Sequence, residues 1–451
     1  MARTERLLPA SVVTRYAIGS LGTGGFATLP GLVLVFYLTD TLGVAAWVAG
    51  IAVSAAKVWD VLVDPVIGAV SDRSLHRTGS RHRLMTLGAL TLPVFFLLTF
   101  AVPGGMAPTL SALWVTVAFI LASTSFSLFQ VPYIALPAEL SERYDQRTRL
   151  LTSRVAVLSL AILLFGAGGP LLRGIGSAYT GYLVMALVAG VVIALGMLVA
   201  TTIAPREARG RGAVRARLSA GYRPGLSALR RSAPFRALLG AYLLQALATG
   251  LMLAGANYVA VWVMHSSDAL TFLFVALIAP AIAFSPVWNA ISQRIGKERA
   301  FAAASVLFAL ATASLTFAIW TPGAWMYVSV GFAGAAYAGM QALPMAMLPD
   351  VISHDARTTG PGQAGVFGGI WTAGETTGMA LGAALLTVIL TITGYVQTVA
   401  GVTVTQPTGA VVGIAVGFSI VPAVLTLISL ASLARYRLRR ADIDLVDQEA
   451  A

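Results

Sequence analysis

Lys57-Val58-Trp59-Asp60-Val61-Leu62-Val63-Asp64-Pro65 places two carboxylates and an ammonium inside an apolar run extending from about 43 to 70. Each charge set deep in hydrocarbon costs roughly 2.5 to 3.5 kcal/mol on insertion scales. Read as a helix, positions 57, 60 or 61, and 64 return to one face, leaving the other faces apolar. At a rise of ~1.5 Å per residue, Asp60 and Asp64 fall roughly 18 and 12 Å inward from Asp72, where the run ends in a polar loop. Half of a ~30 Å hydrocarbon core is ~15 Å, so both acids are expected near mid-depth. Pro65 withholds a hydrogen bond from the Val61 carbonyl, which favours a bend beside the acids. A buried ion pair that knits helices together would account for one carboxylate and the lysine. Two acids one turn apart with one local base leave a surplus negative charge, which a mobile cation or a second base must neutralise. A paired acid site at that depth is what a cation-coupled transporter needs.

Composition agrees with a membrane setting. The chain has 451 residues, 57% hydrophobic and 11% charged, with mean hydropathy +0.83. No soluble fold of this length needs so much apolar surface, and the apolar residues come in long blocks. Twelve runs are long enough to span: about 12–38, 41–71, 83–102, 108–136, 150–174, 177–203, 236–265, 269–293, 299–320, 323–349, 362–394 and 409–434. Several contain Gly and Pro, which spanning helices tolerate where neighbours re-satisfy the backbone. The expected fold is therefore all-α, with twelve transmembrane helices in two six-helix halves.

The net charge of +12 could suggest nucleic acid, but its distribution argues against that partner. Basic residues collect at Arg3 and Arg6, in 73–83, 143–149, 206–236 and 294–299, and at 435–440. The intervening loops are nearly free of them, and 321–349 and 395–408 carry no charge. This alternation follows the positive-inside rule and predicts both termini in the cytoplasm. Met1 to Ser11 is short and charged and the first apolar run is long, so no cleavable signal is expected. The absence of cysteine excludes disulfides, thiolate metal sites and cysteine nucleophiles. The four histidines lack metal-ligand spacing, and no Ser/His/Asp set or phosphate-cradling Gly loop is evident, so an enzyme is not expected. The Gly19-x-x-Gly22-x-Gly24-Gly25 run lies within a span and reads as a helix-packing surface.

The largest non-apolar segment, 204–235, reads as a basic cytoplasmic linker attracted to anionic headgroups. It separates an N-terminal half (1–203) from a C-terminal half (236–434), and a cytoplasmic tail follows at 435–451. The halves echo each other. Gly68-Ala-Val-Ser-Asp72-Arg73, then Thr78-Gly79-Ser-Arg81-His-Arg83, joins the second and third spans. Asn289-Ala-Ile-Ser-Gln293-Arg294-Ile-Gly296-Lys297-Glu-Arg299 joins the eighth and ninth. Duplicated halves are the usual architecture of secondary transporters, with solute held near the midplane.

The Gly-x-x-x-Asp-Arg…Gly-x-Arg loop resembles the signature of the major facilitator superfamily. Three further stretches resemble its glycoside–pentoside–hexuronide:cation symporters, the melibiose-carrier branch, and the resemblance covers nearly the whole chain. They are Lys57-x-Trp59-Asp60-x-x-x-Asp64-Pro65; Val131-Pro132-Tyr133-x-Ala135-Leu136-x-Ala138-Glu139-Leu140 with Tyr144-x-x-Arg147-Thr148-Arg149-Leu150; and Asp350-Val351…Gly365-Val-Phe-Gly368-Gly-Ile-Trp371. The resemblance implies a major facilitator fold and cation-coupled symport of a sugar-type solute. It implies Asp60 and Asp64 as cation ligands (metal ligands only if the ion is Na⁺), with Lys57 beside them and the Ser127 hydroxyl completing the site. It also puts Arg154 near the binding cavity.

The chain departs from the family at several positions. Two acids that grip sugar hydroxyls in the family fall at Gly24 and Gln130, and a family lysine falls at Glu375. An amide of sodium-using relatives falls at Val63, which leaves a poorer oxygen cage for Na⁺ and favours H⁺ as the coupling ion. Glycine offers no side-chain hydrogen bond and glutamine no charge, so an amphipathic lipid or other non-sugar hydrophobic solute stands as the alternative substrate. Glu375, in the small-residue stretch Trp371-Thr-Ala-Gly-Glu375-Thr376-Thr377-Gly378, is expected either to pair with Arg154 or Lys57 or to be a protonated acid bound to a carbonyl. Tyr133, Trp371, Gln245, Asn257 and Gln341 are further cavity candidates. Asp72, Arg73 and Arg294 are expected to exchange ionic contacts as an inner gate opens. No cofactor beyond the coupling ion is expected. The expected partners are a small-molecule solute and membrane lipids, with the chain monomeric. The preponderance of Arg over Lys points to a bacterial inner membrane.

Overall fold

A computed structural model describes residues 8–78, 80–141, 144–204, 229–359, 364–436 and 438. Among the described residues, twelve long helices follow the twelve apolar runs. In the first half they are α1 Ala10–Thr41, α2 Ala46–Thr78, α3 His82–Phe100, α4 Pro108–Leu140, α5 Tyr144–Arg173 and α6 Ala178–Thr201. The second half comprises α7 Ala233–Val263, α8 Ala269–Ile295, α9 Lys297–Ile319, α10 Trp325–Thr359, α11 Ala364–Ile392 and α12 Thr408–Leu433. Among the described residues, 11 helices are long and apolar enough to cross a membrane. The twelfth, α10, has 35 residues, but Tyr327, Tyr337 and Gln341 dilute its hydropathy. The chain is therefore an all-α membrane protein. The segment 205–228, which holds most of the expected linker, and nearly all of the 435–451 tail lie outside the described residues.

Local chemistry sets the helix ends. Ser177 caps α6, accepting from the Thr180 amide while the Thr180 side chain returns to the Ser177 amide. Ser232 caps α7 by accepting from the Phe235 amide. Proline stands in the first turn of α4 and of α7, where its missing N–H costs nothing. Between α8 and α9 the chain reverses at Gly296, whose φ of +91° lies in the region open to glycine. α2 runs as a single 33-residue helix through position 65, with Asp60 and Asp64 near its middle.

The chain divides into two compact units. One comprises Met1–Pro30, Tyr37–Ala220 and Thr398–Val402; the other comprises Gly31–Phe36, Gly221–Gln397 and Thr403–Ala451. Each unit builds its core by the same pairing. In the first, α1 packs on α5 and α6, α2 on α4, and α3 on α4 and α6. In the second, α7 packs on α11 and α12, α8 on α10, and α9 on α10 and α12. This is the internal repeat that the two matching loops signal. Aromatic side chains fill the first core, where Phe26, Phe96, Phe119 and Phe126 join Tyr37, Phe100 and Tyr182 through the Phe96–Phe100 contact.

Candidate functional site

The α2–α4 contact sets two carboxylates against two hydroxyls. Asp60 and Asp64 are one turn apart on α2, and Ser123 and Ser127 are one turn apart on α4. The Ser123 hydroxyl donates to Asp60 Oδ1, and the Ser127 hydroxyl lies within hydrogen-bonding reach of Asp64. Lys57 Nζ sits 3.3 Å from Asp60 Oδ2, with the lysine side chain 32% exposed and the aspartate 13%. Trp59 Nε1 donates to Thr124 Oγ1 at 2.9 Å, adding a bond between the same helices. Asp64 Oδ1 is buried and has no hydrogen-bond partner among the described residues. The single local base is thus committed to Asp60, and the surplus charge resides on Asp64. The oxygens of Asp60, Asp64 and Ser127 are hard donors suited to a proton or an alkali cation. Among the described residues, no group of three or more His, Asp or Glu side chains converges, so this is a two-carboxylate site.

Sequence reasoning names Ser127 and misses Ser123. The signal was available: a serine four residues before Ser127 faces an aspartate four residues before Asp64. The side chain of Pro65 lies outside the described residues.

A second polar group joins α1, α4 and α5. The fully buried Tyr133 donates its hydroxyl to the Tyr16 carbonyl at 2.6 Å and lies 3.1 Å from Ser20 Oγ. Its ring stacks on Phe129, with centroids 5.0 Å apart, and the Arg154 guanidinium sits 5.4 Å from its centroid. Arg154 Nε is buried without a hydrogen-bond partner. Tyr133, expected among the cavity residues, is packed against Arg154 here. Gln130 Oε1 accepts from Thr23 Oγ1 at 2.8 Å. At Gly24, a Cβ would lie 2.6 Å from Ala161 Cβ and 3.3 Å from the Leu158 carbonyl. It is a close-approach position against α5.

In the second unit, Trp371 is 2% exposed and stacks on Tyr242 at 4.2 Å between centroids, so it too packs in the core. Glu375 lies beside Tyr242 in a pocket between α7, α10 and α11. Gln245 and Gln341, both expected cavity residues, line the same pocket. Asn257 is buried, and neither its side-chain nitrogen nor its oxygen has a hydrogen-bond partner among the described residues.

The expected gating residues are not the ones paired here. Arg73 and Arg294 are exposed and make no ion pair among the described residues, and the side chain of Asp72 lies outside them. The engaged loop residues are Arg81 and Lys297. Arg81 Nε meets Glu139 Oε1 at 2.6 Å and its Nη1 donates to Ser71 Oγ at 2.6 Å, tying the α2–α3 loop to the end of α4. Lys297 Nζ meets Asp350 Oδ2 at 2.6 Å, tying the α8–α9 loop to α10 in the same way. Arg231, just before α7, reaches Asp355 on α10 through two hydrogen bonds of 3.0 and 2.6 Å. Bonding to that carboxylate pushes the Arg231 guanidinium further toward its charged form.

Comparison with known proteins agrees with this architecture. An uncharacterized symporter of Synechocystis is 33% identical over 34% of this chain and 31% of its own length. The chain thus spans about a third of that relative. The isoprimeverose transporter of Lactiplantibacillus pentosus is 22% identical over 87% of this chain and 82% of its own. The sodium-dependent lysophosphatidylcholine symporter 1 of Mus musculus is 24% identical over 78% and 72%. The crystal structure of a D-xylose-proton symporter matches with TM-score 0.70 at 13% identity, covering 95% of this chain and 97% of that one, which establishes a shared fold. A family model described as MFS/sugar transport protein matches residues 15–440, and with the duplicated six-helix halves and the α2 motif it shows that the chain belongs to that family of major facilitator transporters.

Proposed function

We propose that this protein is a secondary active transporter that couples symport of a sugar- or glycoside-type solute to entry of a cation, without chemistry on the solute. The observation that carries the reading is the unmatched Asp64 carboxylate beside a Lys57–Asp60 pair at 3.3 Å. A charge left bare in a dry helix interface is costly, and a proton or Na⁺ removes that cost. Cation loading at Asp64 then lowers the penalty of closing around the solute, and the two halves alternate access by rocking. The ion is H⁺ in preference to Na⁺, because Val63 contributes no oxygen between the two acids. The protein works as a monomer in a bacterial inner membrane, with both termini cytoplasmic and neither nucleic acid nor cofactor involved. Arg73 and Arg294 take up ionic contacts as the cytoplasmic side closes and opens.

An amphipathic lipid is the second reading. It is favoured by Gly24, which puts a helix contact where a hydroxyl-binding acid would be needed, and by the similarity to a lysophosphatidylcholine symporter. Uptake of radiolabelled pentosides, hexosides and lysolipids into proteoliposomes, under an imposed proton gradient or an imposed Na⁺ gradient, separates these readings. Accumulation of a glycoside under the proton gradient supports the first. Accumulation of lysolipid alone replaces it with the second, and no gradient-dependent accumulation of either class refutes both.

A further inference from the structure

Tyr242, Tyr337, Gln341 and Glu375 face one another between α7, α10 and α11, in a pocket with room for about one water molecule. Tyr242 Oη and Gln341 Oε1 lie 2.8 Å apart, and Gln341 Nε2 lies 2.6 Å from the Tyr337 hydroxyl. The Tyr242 hydroxyl is also within hydrogen-bonding reach of the Glu375 carboxyl. The four side chains thus form one line that starts on α11, crosses α7 and ends on α10. Among the described residues no base pairs with Glu375. The titratable groups facing it are Tyr242 from α7 and Tyr337 from α10, and α12, which also packs on α11, has none. Glu375 keeps partial exposure, which leaves it a route for proton exchange.

This line of groups is satisfied in two ways. A phenol both donates and accepts, and a side-chain amide donates at one end and accepts at the other. With Glu375 neutral, its proton goes to the Tyr242 oxygen, Tyr242 donates to Gln341 Oε1, and Gln341 Nε2 donates to Tyr337, as the spacings stand. With Glu375 ionised, every bond reverses. Tyr337 then donates to the amide oxygen, the turned amide nitrogen donates to Tyr242, and Tyr242 donates to the carboxylate. Two hydroxyls rotate and one amide turns, and no proton changes its atom except the one that Glu375 gains or loses. Neither charge state leaves a member of the line without a partner, so the geometry admits both. A bare carboxylate with no such donor would be far more costly in this setting.

We propose that Glu375 is a second proton-binding site, in the second half of the chain, and that Tyr242 and Gln341 pass its charge state to Tyr337 on α10. The relay carries direction and not a proton, because the amide at Gln341 turns and does not conduct. Loading or unloading Glu375 thereby resets the polar contacts that tie α7, α10 and α11 together. Its bearing on transport, as the means by which the second half senses a proton gradient, rests on the symport reading. The titration and the relay themselves do not.

The test is infrared difference spectroscopy on the purified full-length protein without solute, stepping the pH from about 4 to about 10, the span between ordinary glutamate and tyrosine values. Wild type is expected to lose a protonated-carboxyl band as the pH rises. That band is absent from Glu375→Gln and displaced, not abolished, in Glu375→Asp, which guards against loss through misfolding. The same step is expected to change a phenol band, which Tyr337→Phe identifies as that of Tyr337. Tyr242→Phe and Gln341→Leu abolish this phenol change while the Glu375 band still titrates, a separation that a merely structural acid would not give. No Glu375 band anywhere in the range, a band that never yields to rising pH, a band lost in Asp64→Asn instead of Glu375→Gln, or a Tyr337 change that survives both relay variants overturns the proposal. If Glu375 titrates as described while reconstituted protein shows no gradient-driven uptake, symport fails and this site stands.

Discussion

Replacing Ser127 with alanine tests both the site and the identity of its ion. The Ser127 hydroxyl is within reach of the Asp64 carboxylate, whose Oδ1 has no hydrogen-bond partner among the described residues. A hydrogen bond to a charged group contributes about 1.5–3 kcal/mol, and in a buried interface water replaces little of it. Its loss destabilises the ionised carboxylate and leaves the neutral acid nearly untouched. If the coupling ion is H⁺, Asp64 then holds its proton more tightly. The pH at half-maximal uptake moves upward by about one to two units, since one unit corresponds to about 1.4 kcal/mol. If the ion is Na⁺, the cage loses an oxygen, and half-saturation rises by about tenfold or more for the same energy. The assay is initial-rate uptake into proteoliposomes against external pH at zero Na⁺, and against Na⁺ at fixed pH, with thermal unfolding as a control for folding. A Ser127→Ala protein that folds normally and shifts in neither titration refutes the placement of the ion at Asp64.

Other positions give sharper structural tests. Gly24→Ala inserts a methyl 2.6 Å from Ala161 Cβ and should lower stability by about 1–3 kcal/mol in thermal or denaturant unfolding, without altering which solutes compete for uptake. Altered solute competition would restore Gly24 to the binding surface. Arg81→Met removes a guanidinium that is 10% exposed and bonded to Glu139 at 2.6 Å, and should cost about 1.5–3 kcal/mol. Lys297→Met, at the repeat-related place, removes a lysine that is 41% exposed and should cost about 1 kcal/mol or less. Equal losses in the two variants would show that burial does not govern these loop contacts.

The spans were legible because hydropathy and loop charge vary over twenty-residue blocks, and side-chain geometry hardly matters at that scale. The α2 acids were legible because ionisable groups in an apolar run need an explanation. What the sequence obscured was which partner each polar residue takes. Ser123 looks like any helix serine until α4 is laid against α2. Arg81 and Lys297 are two basic residues among many, and only the fold shows that each meets an acid at the end of its neighbouring helix. The close approach at Gly24 and the 2.6 Å bond from Tyr133 to the Tyr16 carbonyl are likewise visible only once the helices are packed together.

The central claim is that Asp64 carries the ion that travels with the solute. Recording cation entry on addition of solute to proteoliposomes, by electrode or ion-selective dye, tests it most directly in wild type and Asp64→Asn side by side. Solute-triggered cation entry is expected in wild type and none in Asp64→Asn, with solute exchange across the membrane retained in both. Cation entry of equal size in Asp64→Asn would contradict it.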